Sequence, residues 1–223
     1  MFDAVIFDVD GTLVDSVDLH AEAWRRSFLR FGKTVPYTSI RQQIGKGGDQ
    51  LLPVFFSDDE LREFGEAMEN FRSDLYKAEF LPQVRPFPQV RELFQRLRGD
   101  GIRLALASSA KGEELRSYKE LTQIDDLVDE ETSKDDVERS KPHPDIFEAA
   151  LDRLGHPKPK EVIVIGDTPY DAEAARKAHL RSIGLLSGGF AEEELRDAGA
   201  LRIFLDPADL LARYEEWVVA EVR

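Results

Sequence analysis

Three short apolar runs interrupt the polar background of this chain, and each is typical of a buried β-strand. They are Ala4–Phe7, residues 102–107 (interrupted only by Arg103) and residues 162–165. Near-continuous apolarity indicates strands covered on both faces, as in a parallel sheet between layers of helices. Weaker apolar stretches near residues 127–128, 181–186 and 201–205 predict further strands. Strand-then-helix alternation after residue 85 predicts an open α/β sheet.

Residues 15–83 break this alternation, because only helical patterns occur there. Trp24, Phe28 and Phe31 recur at helical spacing, and Gly32 predicts a helix end. Residues 57–60 read Ser-Asp-Asp-Glu, a capping box ahead of an amphipathic helix. The apolar stripe of that helix consists of Leu61, Phe64, Met68, Phe71 and Leu75.

The prolines between residues 84 and 88 predict an extended return from this helical stretch. We therefore predict two domains. Residues 1–14 and 84–223 would form an α/β core, and residues 15–83 would form an all-α cap inserted after the first strand.

Composition then excludes several classes of function. The 223 residues include no cysteine, which excludes a disulfide framework, cysteine-ligated metal and a thiol nucleophile. Lys and Arg number 30 against 44 Asp and Glu, and the net charge of −14 argues against nucleic acid or an anionic membrane as partner. No signal-peptide pattern and no apolar run of roughly 20 residues is present, so we expect a soluble, cytoplasmic protein.

Carboxylates follow the strong predicted strands, where ligands bind in open α/β sheets. Asp8 and Asp10 follow the first, and Asp167 and Asp171 the third. Ser108 and Ser109 follow the second strand, and Lys141 precedes a predicted helix. If the strands are adjacent, these groups meet at one edge of the sheet.

Such a cluster needs compensation, because like charges about 4 Å apart repel by roughly 4 kcal/mol at an effective dielectric constant near 20. A hard divalent cation, shifted pKa values or a less crowded arrangement would each resolve the conflict. Oxygen-only ligands suit Mg²⁺, which completes its shell with waters and substrate phosphate.

Residues 8–12, Asp-Val-Asp-Gly-Thr, resemble the D-x-D-G-T signature of the haloacid dehalogenase-like hydrolase superfamily. Ser108, Lys141 and residues 166–171, Gly-Asp-Thr-Pro-Tyr-Asp, resemble its second, third and fourth motifs in the same order. The helical insert resembles the cap of phosphoglycolate phosphatase-like and β-phosphoglucomutase-like members. The resemblance implies a Rossmann-like parallel sheet flanked by helices, with the cap after the first strand.

The resemblance also implies catalytic roles. Asp8 would be the nucleophile that forms an aspartyl-phosphate, and Asp10 the general acid and base. Ser108 would hydrogen-bond the phosphate, and Lys141 would neutralise both phosphate and nucleophile. An aspartate at position 10 favours phosphate-ester chemistry over the dehalogenase, phosphonatase and P-type ATPase branches.

The resemblance further implies that Mg²⁺ is held by Asp8, Asp167 and the backbone carbonyl of Asp10. Asp171 would be a further carboxylate, acting through water or by orienting Lys141. Thr12 would orient the carboxylates, bind phosphate or simply cap the turn.

The predicted cap adds two candidate substrate-binding residues. His20 lies in a stretch similar to β-phosphoglucomutase-like members, although packing between helices would equally explain a histidine there. Lys46 lies in the Gly45-Lys46-Gly47-Gly48 loop, which resembles the cap specificity loop of phosphoglycolate phosphatase-like members. A mobile surface loop would explain this stretch equally well. The remaining substrate-binding candidates are Thr12, Ser108, Ser109 and Lys141.

We therefore expect a Mg²⁺-dependent phosphatase acting on a small phosphorylated metabolite, as a monomer or homodimer. A phosphomutase of the β-phosphoglucomutase type is the alternative, and a non-catalytic binding protein on the same fold is a third reading. The sequence leaves the substrate open.

Overall fold

The computed structural model describes residues 2–218. Its strands in chain order are β1 (Ala4–Phe7), β2 (Val14–Asp15), β3 (Arg85–Pro86), β4 (Arg103–Ala107), β5 (Glu130–Thr132), β6 (Val162–Gly166), β7 (Arg181–Leu185) and β8 (Arg202–Phe204). Its α-helices are α1 (Val17–Arg30), α2 (Tyr37–Arg41), α3 (Gly48–Leu51), α4 (Asp58–Leu75), α5 (Val90–Gly99), α6 (Gly112–Thr122), α7 (Asp145–Arg153), α8 (Pro169–Lys177), α9 (Glu192–Ala198), α10 (Pro207–Ala212) and α11 (Tyr214–Val218). A π-helical turn, Tyr76–Phe80, continues α4.

Six of the strands form one parallel sheet, in the order β5-β4-β1-β6-β7-β8. The chain adds β4 and β5 on one side of β1 and then β6, β7 and β8 on the other side. β1 therefore lies between β4 and β6. Phe7, the last residue of β1, is level with Leu106 of β4 and Ile165 of β6. The carboxyl ends of these three strands thus meet at the topological switch point, where open α/β sheets bind ligands.

Both faces of the sheet are covered, as the apolar runs predict. Val5 and Phe7 pack in one cluster with apolar side chains of α5, and Ala4 and Ile6 pack in another with those of α7 and α8. All four side chains are fully buried. Burial of a large apolar side chain such as Phe7 contributes on the order of 1.5–3 kcal/mol. The Rossmann-like fold class predicted from the sequence is confirmed.

The helices between β2 and β3 share a core of their own, and we call residues 17–83 the helical segment. Phe28 is fully buried there, and its ring contacts those of Phe55 and Phe56. Gly32 follows α1 with a φ of 81°, a left-handed conformation that suits glycine and ends the helix. The capping box predicted at the start of α4 is present: Ser57 and Glu60 exchange both hydrogen bonds.

The chain enters and leaves the helical segment through adjacent strands. β2 and β3 pair antiparallel, with Val14 opposite Pro86 and Asp15 opposite Arg85. The extended return predicted from the prolines is therefore part of a two-stranded sheet. The two connections between the helical segment and the core therefore lie side by side.

One predicted strand was misplaced. Residues 127–128 lie in a turn region, and the strand follows at Glu130–Thr132. Leu127 and Val128 are apolar because they pack, partly buried, against the core from that turn.

Between residues 2 and 218, no helix combines the length and the apolar character needed to cross a membrane.

Candidate active site

The polar residues that follow β1, β4 and β6 meet at the carboxyl edge of the sheet. Asp8 directly follows β1, and its N–H still donates to the carbonyl oxygen of Ile165, 2.8 Å away. Asp167 follows β6 and is fully buried. Lys141 reaches the same place from the loop before α7, through a peptide bond to Pro142 that is cis. Adjacency of β1 and β6 thus brings Asp8 and Asp167 together, and the loop before α7 brings Lys141 to them.

Lys141 is a fully buried cation held by two carboxylates. Its Nζ lies 2.5 Å from Asp8 Oδ1 and 2.8 Å from Asp171 Oδ1, and it donates to the carbonyl of Ala107 at 2.9 Å. Burial opposes its charge, but the attraction of Asp171 and Asp8 prevails and raises the pKa of Lys141. Lys141 therefore carries a permanent positive charge beside Asp8.

The carboxylates still outweigh this one cation. Burial, reinforced by Asp171 and Asp10, raises the pKa of Asp8 to about 7 despite Lys141. Burial, with the negative charge of Asp8 next, raises the pKa of Asp167 well above its ordinary value. Near neutral pH the cluster therefore holds either a proton or an added cation.

The cluster fits a hard cation. Carboxylate oxygens of Asp8, Asp167 and Asp171 all lie within 4.8 Å of one another. Asp167 Oδ2 is buried and has no hydrogen-bond partner among residues 2–218. The backbone at Gly11 and Gly188 lies close to the Asp167 carboxylate, and a Cβ atom at either position would collide with it. An orphaned carboxylate oxygen among oxygen donors matches the ligand preference of Mg²⁺.

Asp171 divides its two oxygens between different partners. Oδ2 accepts from the backbone N and the Oγ1 of Thr168, at 3.1 and 2.6 Å, and so caps α8. Oδ1 faces Lys141. Of the two roles left open by the sequence, this geometry favours orientation of Lys141.

Asp10 lies outside the carboxylate cluster. Its Oδ1 accepts from Ser16 Oγ at 2.6 Å and lies 2.8 Å from His20 Nε2. Burial alone would raise the pKa of Asp10, but His20 and the hydrogen bonds from His20 and Ser16 lower it to about 2. As a side-chain metal ligand Asp10 is badly placed, which leaves its backbone carbonyl for that role.

His20 has partners at both ring nitrogens. Arg72 of α4 contacts Nδ1, and a guanidinium can only donate, so Nδ1 is the acceptor. The ring proton therefore sits on Nε2, which donates to Asp10. Tyr76 stacks on the imidazole at 3.9 Å between ring centroids. Of the two readings for His20, the structure shows a packed histidine that also contacts the predicted general acid.

Known proteins resemble this chain in sequence and in fold. The family model of haloacid dehalogenase-like hydrolases matches residues 5–185. The chain belongs to the haloacid dehalogenase-like hydrolase family. A curated relative, the phosphorylated carbohydrates phosphatase of Thermotoga maritima, is 31% identical over 94% of this chain and 96% of its own. A phosphoglycolate phosphatase of Aquifex aeolicus is 28% identical over 82% of this chain and 84% of its own. A solved hydrolase structure from Pseudomonas syringae matches with a TM-score of 0.84 and 31% identity. The match covers 96% of this chain and 98% of that one.

The family's two hydroxyl positions have structural partners here. Thr12 Oγ1 lies 3.1 Å from Asp8 Oδ2 and 3.0 Å from Asp167 Oδ1, so its single proton orients one of these carboxylates at a time. Ser108 is fully buried, and its Oγ accepts from the backbone N of Ala110 at 3.0 Å. Neither residue is among those that line the cleft described next.

A cleft separates this family's signature aspartates from the helical segment. Its wall includes Asp8, Asp10, His20, Trp24, Lys46, Glu69, Arg72, Ser109, Lys111 and Lys134. Lys46 Nζ bonds Gln43 Oε1 at 2.6 Å and lies 4.6 Å from the ring centre of Tyr170. Ser109 Oγ donates to the carbonyl of Gly45 at 3.3 Å. Both candidates therefore line the cleft.

Sequence reasoning missed Glu69, Arg72, Lys111 and Lys134. Glu69 and Arg72 lie on the polar flank of α4, where charged residues are ordinary solvent-facing positions. Lys111 was within reach of the sequence, since it follows Ser108 and Ser109 by only a few residues.

Proposed function

We propose that this protein is a Mg²⁺-dependent phosphatase that hydrolyses a small phosphate monoester through an aspartyl-phosphate at Asp8. The observation that carries this proposal is that two carboxylates in the wall of one cleft have different surroundings. Asp8 lies among Lys141, Asp167 and Asp171, whereas Asp10 lies apart beside His20. A nucleophile and a proton-transfer group need such different surroundings.

Asp8, Asp167 and the backbone carbonyl of Asp10 would hold the metal. Bound Mg²⁺ would supply positive charge to the cluster and to the phosphate oxygens. Lys141 adds a positive charge of its own beside Asp8. Together they would keep Asp8 ionised at neutral pH although burial raises its pKa.

In the first half-reaction a carboxylate oxygen of Asp8 bonds to phosphorus as the bond to the leaving oxygen breaks. Asp10 would give its proton to that oxygen. The approach of a phosphate dianion raises the pKa of a neighbouring carboxyl, which would counter the low pKa of Asp10 in the free protein. In the second half-reaction Asp10, now ionised, takes a proton from the water that attacks phosphorus, and Asp8 is released.

The substrate class follows from the cleft and the relatives. Lys46, Lys111 and Arg72 give the cleft cationic groups around an anionic ligand, and the helical segment covers it. The names of two relatives specify a phosphorylated carbohydrate and phosphoglycolate. We infer that the ligand is a small phosphorylated metabolite.

Phosphate release from a panel of phosphorylated sugars, polyols and short acids tests this proposal. We expect release with Mg²⁺ and its loss with EDTA, and an Asp8→Asn variant with less than about 1% of wild-type activity. Asp125→Asn is the matched control, because Asp125 is an exposed partner of Lys119. An isomerised sugar phosphate in place of free phosphate would indicate the mutase. No release from any compound would indicate a non-catalytic protein.

A further inference from the structure

Asp49 of α3 is the acidic residue through which the helical segment contacts the loop that carries Lys141. Its Oδ1 accepts from Lys134 Nζ at 2.7 Å, and its Oδ2 accepts from the backbone N of Ser140 at 3.0 Å. These partners lie 85 and 91 residues further along the chain. A third hydrogen bond to this carboxylate comes from the neighbouring Gln50. Lys134 and Ser140 both belong to the core.

The contact with Ser140 reaches the active site through a single peptide bond. Ser140 is buried and directly precedes Lys141, whose Nζ lies between Asp8 and Asp171. Displacement of the Ser140 amide would therefore move the Lys141 backbone. Because Lys141 is fully buried, its long side chain has little freedom to compensate.

Close backbone packing distinguishes this contact from an ordinary surface ion pair. Gly47 lies so near Ser140 that a Cβ atom there would collide with the Ser140 side chain. At Gly45, whose φ is 106°, a Cβ atom would lie 2.6 Å from the methyl carbon of Thr168. The side chains of Asp49 and Lys134 are only 27% and 25% exposed. Hydrogen bonds from Lys134 and Ser140 lower the pKa of Asp49 to about 2, although burial opposes this.

We propose that Asp49 is a positioning residue: by accepting the Ser140 amide and pairing with Lys134, it fixes Lys141 beside Asp8 and seats the helical segment over the cleft. This proposal rests on the proposed function, because Lys141 matters only if Asp8 reacts. Asp49 touches neither substrate nor metal in this role. Its effect on the reaction passes through the backbone of Ser140.

Two variants of Asp49 separate the amide contact from the ion pair. Asp49→Ala removes both, whereas Asp49→Asn removes the charge that pairs with Lys134 and keeps an oxygen that can accept from Ser140. Glu79→Ala is the control, because it removes an exposed ion pair with Arg26 inside the helical segment. Each is assayed with p-nitrophenyl phosphate and Mg²⁺, alongside thermal unfolding.

We expect Asp49→Ala to lower kcat about tenfold, because Lys141 would no longer be held at its best position beside Asp8. Asp49→Asn should keep at least about half of the wild-type kcat. KM should change less than kcat, and melting temperatures should stay close to that of the control. Equal losses in Asp49→Ala and Asp49→Asn would overturn the proposal, because loss of the ion pair alone would then explain them.

Hydrogen exchange of residues 134–141 supplies a readout that needs no catalysis. The Ser140 amide should exchange faster in Asp49→Ala than in Asp49→Asn or in the Glu79→Ala control, because its acceptor is gone. Unchanged exchange, or an unchanged kcat in Asp49→Ala, would refute the positioning role. If the wild-type protein released no phosphate at all, the proposed function would fail, while the exchange result would still decide whether Asp49 holds Ser140.

Discussion

Asp8 and Asp10 are separated by one residue, yet their surroundings drive their pKa values in opposite directions. Burial among other carboxylates raises the pKa of Asp8 to about 7. Against the effect of burial, His20 and Ser16 lower the pKa of Asp10 to about 2. A pair of titratable groups pushed apart in this way is typical of acid–base and nucleophilic sites.

The raised pKa of Asp8 predicts a pH-dependent stability cost. An unfolded carboxyl ionises near its ordinary pKa, whereas folded Asp8 holds its proton up to about pH 7. Stability is therefore lost as pH rises between these values, by up to about 4 kcal/mol without metal. In EDTA, urea unfolding from pH 4.5 to 7.5 should show this decline in wild type and a smaller one in Asp8→Asn, where burial still raises the pKa of Asp167. Parallel pH curves for the two proteins would contradict the prediction.

The contact between His20 and Asp10 predicts a shift in the pH profile. Without His20 the ionised form of Asp10 loses one of its hydrogen-bond donors, so the pKa of Asp10 rises. Because Asp10 must be protonated to act as the acid, the alkaline limb of kcat/KM should move to higher pH. We expect His20→Ala to lower kcat by about 10²-fold, the lower end of typical acid–base contributions. His156→Ala serves as control, since the exposed side chain of His156 pairs with Asp152 and does not line the cleft. A uniform loss with an unmoved alkaline limb would assign His20 to packing alone.

At the scale of elements, α1 holds the helical segment together through one face. Phe28 is fully buried against Phe55 and Phe56, whereas its neighbour Leu29 is 45% exposed. Phe28→Ala should destabilise the protein by about 3–5 kcal/mol in urea unfolding, and Leu29→Ala by less than about 0.5 kcal/mol. Similar losses for both would place the wrong face of α1 against the core.

The strands differed in how far the sequence could predict them. β1, β4 and β6 were accessible because central parallel strands are buried on both faces and leave continuous apolar runs. β5 was misplaced because it is an edge strand that pairs only with β4, and its Glu130-Glu131-Thr132 sequence is polar. An edge strand needs no such run, so its hydropathy gave no signal.

The candidate site divides in the same way. The motif aspartates and Lys141 could be predicted because each sits at a strand end or a loop of recognisable spacing. Asp49 and Arg72 could not, because their partners Ser140 and His20 lie 91 and 52 residues away and only tertiary packing brings them together. Periodicity describes which face of a helix is polar, but it does not identify what that face meets.

For the whole molecule, the net charge of −14 conceals a local excess of cationic groups around an acidic centre. The carboxylate cluster predicts that Mg²⁺ stabilises the folded protein, because the unfolded chain offers no such site. At Mg²⁺ concentrations about 100-fold above Kd the gain is about 2.7 kcal/mol, seen as a higher melting temperature. Asp167→Asn should abolish the shift, and Asp209→Asn, which removes the charge of a carboxylate at the start of α10, should leave it intact. A wild-type-like shift in Asp167→Asn would place the cation elsewhere.

Identification of the phosphorylated residue during turnover tests the central claim most directly. The protein is mixed with p-nitrophenyl phosphate and Mg²⁺, quenched in acid within milliseconds to seconds, digested and examined by mass spectrometry. We predict one phosphoryl group on Asp8, removable by hydroxylamine as an acyl phosphate must be, and none in Asp8→Asn. Turnover with no adduct on Asp8 in any quench, combined with phosphate release by Asp8→Asn, would contradict the proposed mechanism.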